Sequence, residues 1–295
     1  YNDDNVELGK YTVEVYYGEK RYDSIEWNIV KHNNVIDGIG TIDNPYIIKT
    51  SSDLNSIRNH NTNGKYYILN NDLDLEYDTT NKNGLFYNGG AGWLPIPEFS
   101  GNFDGNNHVI SGIYINRPKS ISEEPVGLFA TIYGTNNYVK NVIIKNIDIT
   151  GNYRAGALAG DVSVTNGIEI NNISVVVGKV ISDYYNGGLI GGLHATKGVA
   201  ENIDCNMYNL YSNVIIGNIS TVFSGGLIGV AESSKNVLSV TIKDSVNYSK
   251  ISGSANGGNS ATGGLIGSAG LLNNITITNG ISAGSYNTEG TVRVG

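Results

Sequence analysis

The chain of 295 residues contains one cysteine, one methionine and four histidines. A lone cysteine cannot close an internal disulfide, so Cys205 is read as a small core side chain rather than a reactive thiol. Charged residues make up only 16% of the sequence, against roughly a quarter in an average soluble domain. Solubility therefore falls to Asn, Ser, Thr, Gly and Tyr. The net charge of −8 removes the electrostatic case for nucleic acid or an anionic membrane surface. No apolar run approaches the roughly 20 residues of a transmembrane helix, so membrane insertion is not expected. The sequence opens on Tyr1 with no signal-peptide pattern behind it. It is read as a piece of a longer, multidomain precursor.

Catalytic signatures are also missing. None of His32, His60, His108 and His194 is followed by Glu, which removes the His-Glu-x-x-His zinc helix. There is no P-loop, and the repeat region is poor in acids, with Arg154 and Lys179 isolated in the sequence. No enzyme is expected. A glycan-degrading β-helix enzyme remains only as an alternative.

What is present is repetition. Gly-Leu-Ile-Gly occurs at Gly188, Gly226 and Gly264, with looser copies at Gly156 and Gly127. These leading glycines lie 29, 32, 38 and 38 residues apart. Each phrase is followed by an Asn-Ile or Asn-Val strand beginning at Asn141, Asn172, Asn202, Asn236 or Asn274. Three short strands in about thirty residues describe one rung of a solenoid. The expected fold is all-β: a right-handed parallel β-helix. Leu, Ile and Val fill its narrow core, and Gly allows φ > 0 at corners and close approach of backbones between rungs. Asn tolerates left-handed turn geometry, and the five asparagines, if in register, stack as an amide ladder. The longer rungs place their extra residues in turns at 208–212 and 252–262.

Upstream, Lys10–Tyr17 and Ile25–Val30 alternate polar and apolar around a Gly18-Glu19 turn, which predicts a hairpin. Residues 1–36 are read as a β-hairpin element, a remnant of an Ig-like module or a cap. Residues 37–125 form the N-terminal cap and first rungs, and 126–295 the repeats. Thr50 before Ser51-Ser52-Asp53-Leu54 predicts a capping helix over the open end of the stack. Pro95-Ile96-Pro97 argues against a central strand there.

The Gly-Leu phrases resemble the GLUG-motif repeats of bacterial cell-surface proteins. The ordered leader fits as well: Gly40–Ile48, then Tyr67–Leu75, then Phe99–Gly112. The resemblance covers roughly 38 to 282. It implies a secreted or wall-attached adhesin-like protein, extracellular at the cell surface. Similar repeats occur in the non-catalytic part of some immunoglobulin-cleaving metalloproteases.

Functional residues are sought in what departs from the repeat. Twenty tyrosines are the compositional anomaly. Tyr184, Tyr185, Tyr208, Tyr211 and Trp93 are candidates for ligand stacking on host protein or polysaccharide. The competing reading places such rings in the core. Asp72 and Asp74 alternate with leucines and precede Asp78, a possible set of oxygens for calcium or the polar face of an early strand. The expected function is a non-catalytic adhesin module binding a host or polysaccharide ligand, with a passive stalk or spacer as the alternative.

Overall fold

A computed structural model describes residues 9–18, 20–29, 36–118, 124–196, 202–218, 220–235, 237–254 and 260–289. The chain divides into two units, Tyr1–Val35 and Ile36–Gly295. In the first, β1 (Gly9–Tyr17) and β2 (Lys20–Ile29) pair antiparallel from Gly9↔Ile29 to Tyr17↔Lys20. Gly18 takes φ 63° in the turn between them. Glu19 and Val30 lie outside the described residues.

The second unit is a parallel β-helix of about six turns. Its register is read directly from one column of partners. Ile96 and Ala159 flank Phe129, Ala159 pairs with Ile190, Ile190 with Ile228, and Ile228 with Ile266. A second face stacks Phe103, Val139, Ile170, Met207 and Ile242. A third stacks Ile115, Ile149, Val180, Ile216 and Ile251. A short fourth strip joins Arg154–Ala155, Tyr185–Gly187, Phe223–Gly225 and Ala261–Gly263. Strand Ile96–Phe99 forms despite Pro97, and among the described residues it pairs with 129–132 alone. One-sided pairing is the setting in which proline costs no ladder hydrogen bond.

The core changes character along the stack. Near the N-terminal end it is aromatic, with Phe99, Phe103 and Phe129 in ring contact at 4.7–6.2 Å. Further on it is aliphatic. In the last rungs it turns polar: Ser212 Oγ meets Ser249 Oγ at 2.8 Å, and Ser224 Oγ donates to Ser252 O at 2.7 Å. Buried hydroxyls are tolerated because they are paired. Cys205 is fully buried within this stack, between Ile168 and Val240.

The capping helix is present as α1 (Ser51–Ser56). Thr50 Oγ1 accepts from Asp53 N at 3.1 Å and Asp53 Oδ2 accepts from Thr50 N at 2.9 Å, a reciprocal capping box. Leu54 and, just beyond, Ile57 are buried. A second short helix, α2 (Glu76–Thr80), follows Leu75 and carries Asp78.

The structure bears out part of the sequence reading and corrects part of it. The Gly-Leu glycines do not sit at φ > 0, but asparagine takes the left-handed corners as expected, at Asn141, Asn146, Asn172, Asn209 and Asn279, joined by Asp244. The glycine of the phrase is required by the expected close approach of backbones, since a Cβ at Gly226 would lie 2.1 Å from Gly264 O. The amide ladder uses a different set of residues. Asn141 Nδ2 donates to Asp104 Oδ1 (2.9 Å), Asn172 to Asn141 (2.9 Å) and Asn209 to Asn172 (3.0 Å); Asn279 then donates to Asp244 Oδ1 (2.8 Å). Asn202 and Asn274 are not in this column, and Asn236 lies outside the described residues. Residues 208–212, expected as a turn, lie within strand Ile203–Ile216, which turns its corner at Asn209. Of the 252–262 stretch, 255–259 lie outside the described residues.

Candidate functional site

Outward positions on the first face and on the fourth strip converge on one lateral surface. Along the strip, Arg154 pairs with Tyr185 and Tyr185 with Phe223, one residue per rung. Neighbouring strands stand about 4.8 Å apart, so side chains at one register position are forced into contact. Tyr185 and Phe223 stack at 5.5 Å and 9°. The preceding residues, Tyr153 and Tyr184, meet at 5.3 Å, and Tyr153 also meets Tyr185 at 5.1 Å. Tyr184 is the most exposed of the four rings at 39%. Burial and a hydrogen bond with Tyr153 push the Tyr185 phenol up to about 12.

Arg154 borders this platform. Its guanidinium lies 5.1 Å from the Tyr153 ring centroid and 5.8 Å from that of Tyr185. Its other edge meets two carboxylates, Asp161 (3.3 Å) and Glu232 (4.0 Å). Asp161 and His194 lie on adjacent rungs of the first face, and Nδ1 of His194 is 3.3 Å from Asp161 Oδ1. His194 pairs in register with Ser163 and with Glu232. Alternate residues of a strand share a face, which is why Asp161 and Ser163 lie on the side opposite Val162, although all three are buried. Beside this network runs a groove of about 640 Å³, lined by Tyr133, Arg154, Ser163, His194, Thr196 and Glu232 among others.

Gly192 makes room for the arginine. A Cβ there would stand 2.8 Å from Asp161 Oδ1 and 2.9 Å from Arg154 Nε. The side chain of Arg154 thus crosses the backbone of the next rung to reach Asp161.

Of the residues singled out from sequence, Tyr184 and Tyr185 belong to this surface. Tyr208 and Tyr211 lie on another face: Lys243 Nζ is 5.9 Å from the Tyr208 ring, and Tyr211 meets Tyr248 at 6.0 Å. Trp93 corrects the expectation. It is fully buried, donates Nε1–H to Leu128 O at 3.1 Å and packs edge-on against Phe86, so it is a core residue.

The calcium set does not assemble either. Asp72 accepts from Val109 N (3.0 Å) and contacts His108 Nδ1 (2.9 Å). Asp74 accepts from Glu76 N at 3.0 Å, and Asp78, drawn onto α2, accepts from Ser51 Oγ at 2.6 Å. Each carboxylate has its own protein partner. Among the described residues no group of three or more His, Cys, Asp or Glu could hold a metal ion.

Sequence reasoning missed Tyr153, Asp161, His194, Phe223 and Glu232, and treated Arg154 as isolated. Lys179, also treated as isolated, meets Asp148 at 3.2 Å. A Gly-x-Ser-x-Gly elbow was not expected either, yet Gly280-Ile281-Ser282-Ala283-Gly284 has that spacing. Ser282 there ends a two-residue strand, and its hydroxyl meets Tyr286 OH (2.9 Å) and Asn247 Nδ2 (3.2 Å). No strand-to-helix turn follows it among the described residues.

No family model matches the chain. Among curated proteins it is similar to a candidate Gly-rich membrane protein of Evansella cellulosilytica. The two are 34% identical over 149 residues, 48% of this chain and 15% of that protein. It is similar also to Halomucin of Haloquadratum walsbyi, 34% identical over 127 residues, 43% of this chain and 1% of that protein. The chain thus spans a small part of the length of these curated relatives. Among solved structures, it is similar to a candidate immunoglobulin A1 protease from Bacteroides ovatus. The TM-score is 0.54 over 85% of this chain and 79% of that one, at 17% identity. Likeness at that identity carries the β-helix fold and not an activity.

Proposed function

We propose that the chain is a non-catalytic module of an extracellular bacterial surface protein, adhesin-like in role, that binds a polysaccharide through the lateral surface around Tyr184. The observation that carries this reading is the platform of four rings, Tyr153, Tyr184, Tyr185 and Phe223, bordered by Arg154. Flat aromatic faces supply apolar contact to a sugar ring, and phenol and guanidinium groups supply hydrogen bonds to its hydroxyls. A platform extended along the solenoid suits an extended chain of sugars better than a single compact ligand. The relatives named as a Gly-rich membrane protein and Halomucin are compatible with a surface setting.

The test is retention on a panel of immobilised polysaccharides, comparing the parent chain with Tyr184→Ala and Tyr153→Ala. We expect at least a tenfold loss of affinity, about 1.4 kcal/mol, in either variant. Retention unaffected by a chelator is expected, since the platform contains no metal ligand set. Failure of the parent to bind any member of the panel would overturn the reading. Release of shortened sugar products on incubation would instead favour the enzyme alternative.

A further inference from the structure

Arg154 separates the aromatic platform from the groove, and its charge is already answered. Asp161, with 7% of its side chain exposed, lies 3.3 Å from Arg154, and Glu232 reaches it at 4.0 Å. Asp161 Oδ1 has no hydrogen-bond partner although it is buried; His194 Nδ1 at 3.3 Å is the polar group beside it. A buried carboxylate short of donors beneath a groove makes that groove unfavourable for a second anion. Glu232 stands half-exposed at the rim and is free to accept from a ligand. Ser163, Thr165 and Thr196 hydroxyls, linked at 3.0 and 3.2 Å, lie close by and both donate and accept. Among the described residues lining the groove there is no lysine, and Arg154 is its one permanent cation.

We infer that the groove is a specificity subsite for an uncharged, hydroxyl-rich glycan, and that the Asp161–Glu232 pair excludes uronate-bearing polymers. This rests on the polysaccharide reading above and narrows it. Glu232 and the hydroxyl cluster take hydrogen bonds from and to sugar hydroxyls. A carboxylate on the sugar would meet Glu232 at the rim, while the buried Asp161 already takes up the charge of Arg154, so no unpaired cation receives it.

The experiment compares binding of the full chain to a neutral glucan and to a polyuronate of similar length, with Glu232→Lys and Tyr184→Ala variants. The parent is expected to prefer the neutral polymer by at least tenfold. Glu232→Lys is expected to gain polyuronate binding, an outcome that a misfolded variant cannot mimic. Equal parental binding to both polymers, lost in Tyr184→Ala, would overturn this inference and leave the polysaccharide reading standing. Preference for the polyuronate would overturn it as well. Binding of neither polymer, or of any other glycan, would overturn the reading and the inference together.

Discussion

Replacing Gly226 by alanine is the sharpest test of the rung register. Its Cβ would lie 2.1 Å from Gly264 O and 2.3 Å from Asn247 Cγ. Ordinary contact begins near 3.4 Å, so the next rung must retreat by more than 1 Å. Hydrogen bonds cross at this point, from Gly226 N to Gly263 O (3.3 Å) and from Leu227 N to Leu265 O (2.9 Å). Overpacking of this kind costs about 1–3 kcal/mol, and each weakened hydrogen bond up to about 1. Alanine returns about 0.4–1 kcal/mol by restricting the unfolded chain. The net expectation is a loss centred on about 2 kcal/mol and reaching about 4–5 if both hydrogen bonds are lost.

Gly270 provides the opposite sign. Nothing lies within 4 Å of its Cβ and its φ is outside the left-handed region, so Gly270→Ala keeps only the unfolded-state gain. Urea unfolding followed by circular dichroism measures both. Equal stability of the two variants would refute the stacking of Gly226 on Gly264.

Other outcomes follow from single contacts. Val177 is a β-branched residue at φ 61°, 61% exposed, at the corner where the preceding rung places Asn146; Val177→Asn should raise stability by about 1 kcal/mol in thermal melts, because a left-handed conformation costs most side chains about 1–2. Asp244 cannot donate to Asn209, so the amide ladder breaks between them; Asp244→Asn supplies the donor and should stabilise by about 0.5 kcal/mol at neutral pH. Hydrogen bonds from Val109 N and then from His108 hold the Asp72 carboxyl below its usual value. A depressed carboxylate stabilises the fold above its unfolded pKa and loses that contribution as the pH falls through the folded one. The Tm advantage of the parent over Asp72→Asn should therefore be full near pH 5–6 and shrink as the pH drops below the ordinary carboxylate range. Burial pushes the Cys205 thiol well up, so thiol reagents should label it only under denaturing conditions, and fast labelling of native protein would contradict its place in the core.

The fold was legible because its cause is local and repeated. Leu189, Leu227 and Leu265 recur in the same tetrapeptide, and their backbones are joined in the structure by Leu189 N→Leu227 O and Leu227 N→Leu265 O. The capping box at Thr50 and Asp53 was equally visible, since it lies within four residues of sequence. The site was not legible because its neighbours are neighbours only through register. Arg154, Tyr185 and Phe223 each stand four residues before the repeat leucine, and Ser163, His194 and Glu232 each five after it. Counting from the leucine would have aligned them. Counting from the glycines displaced one rung, because Ala157 rather than Gly156 precedes Leu158. Trp93 misled for a different reason: burial of a large ring at the aromatic end of the core is decided by what stacks above it, Leu128, which is 35 residues away. The acidic run at Asp72–Asp78 misled because α2 takes Asp78 off the strand.

Gly192 shows where scaffold and site divide. The glycines of the Gly-Leu phrase are set by backbone contact: Gly188 would drive a Cβ to 2.3 Å from Gly226 O, just as Gly226 would meet Gly264 O. Every rung that stacks this way needs that glycine, whatever its function. Gly192 occupies a position held by Thr131, Asp161, Val230 and Ser268 on the other rungs, so stacking does not demand glycine there. What crowds its missing Cβ is side chain, Asp161 Oδ1 and Arg154 Cδ and Nε. The glycine therefore serves the arginine's path across the rung. The same holds for the charges: Arg154, Asp161, His194 and Glu232 depart from the aliphatic and hydroxyl pattern, and they do so on adjacent rungs of one surface. A stalk needs no such coincidence. A solenoid built from tolerant outward positions can collect them into one patch without disturbing its core, and the Tyr184 platform lies against that patch.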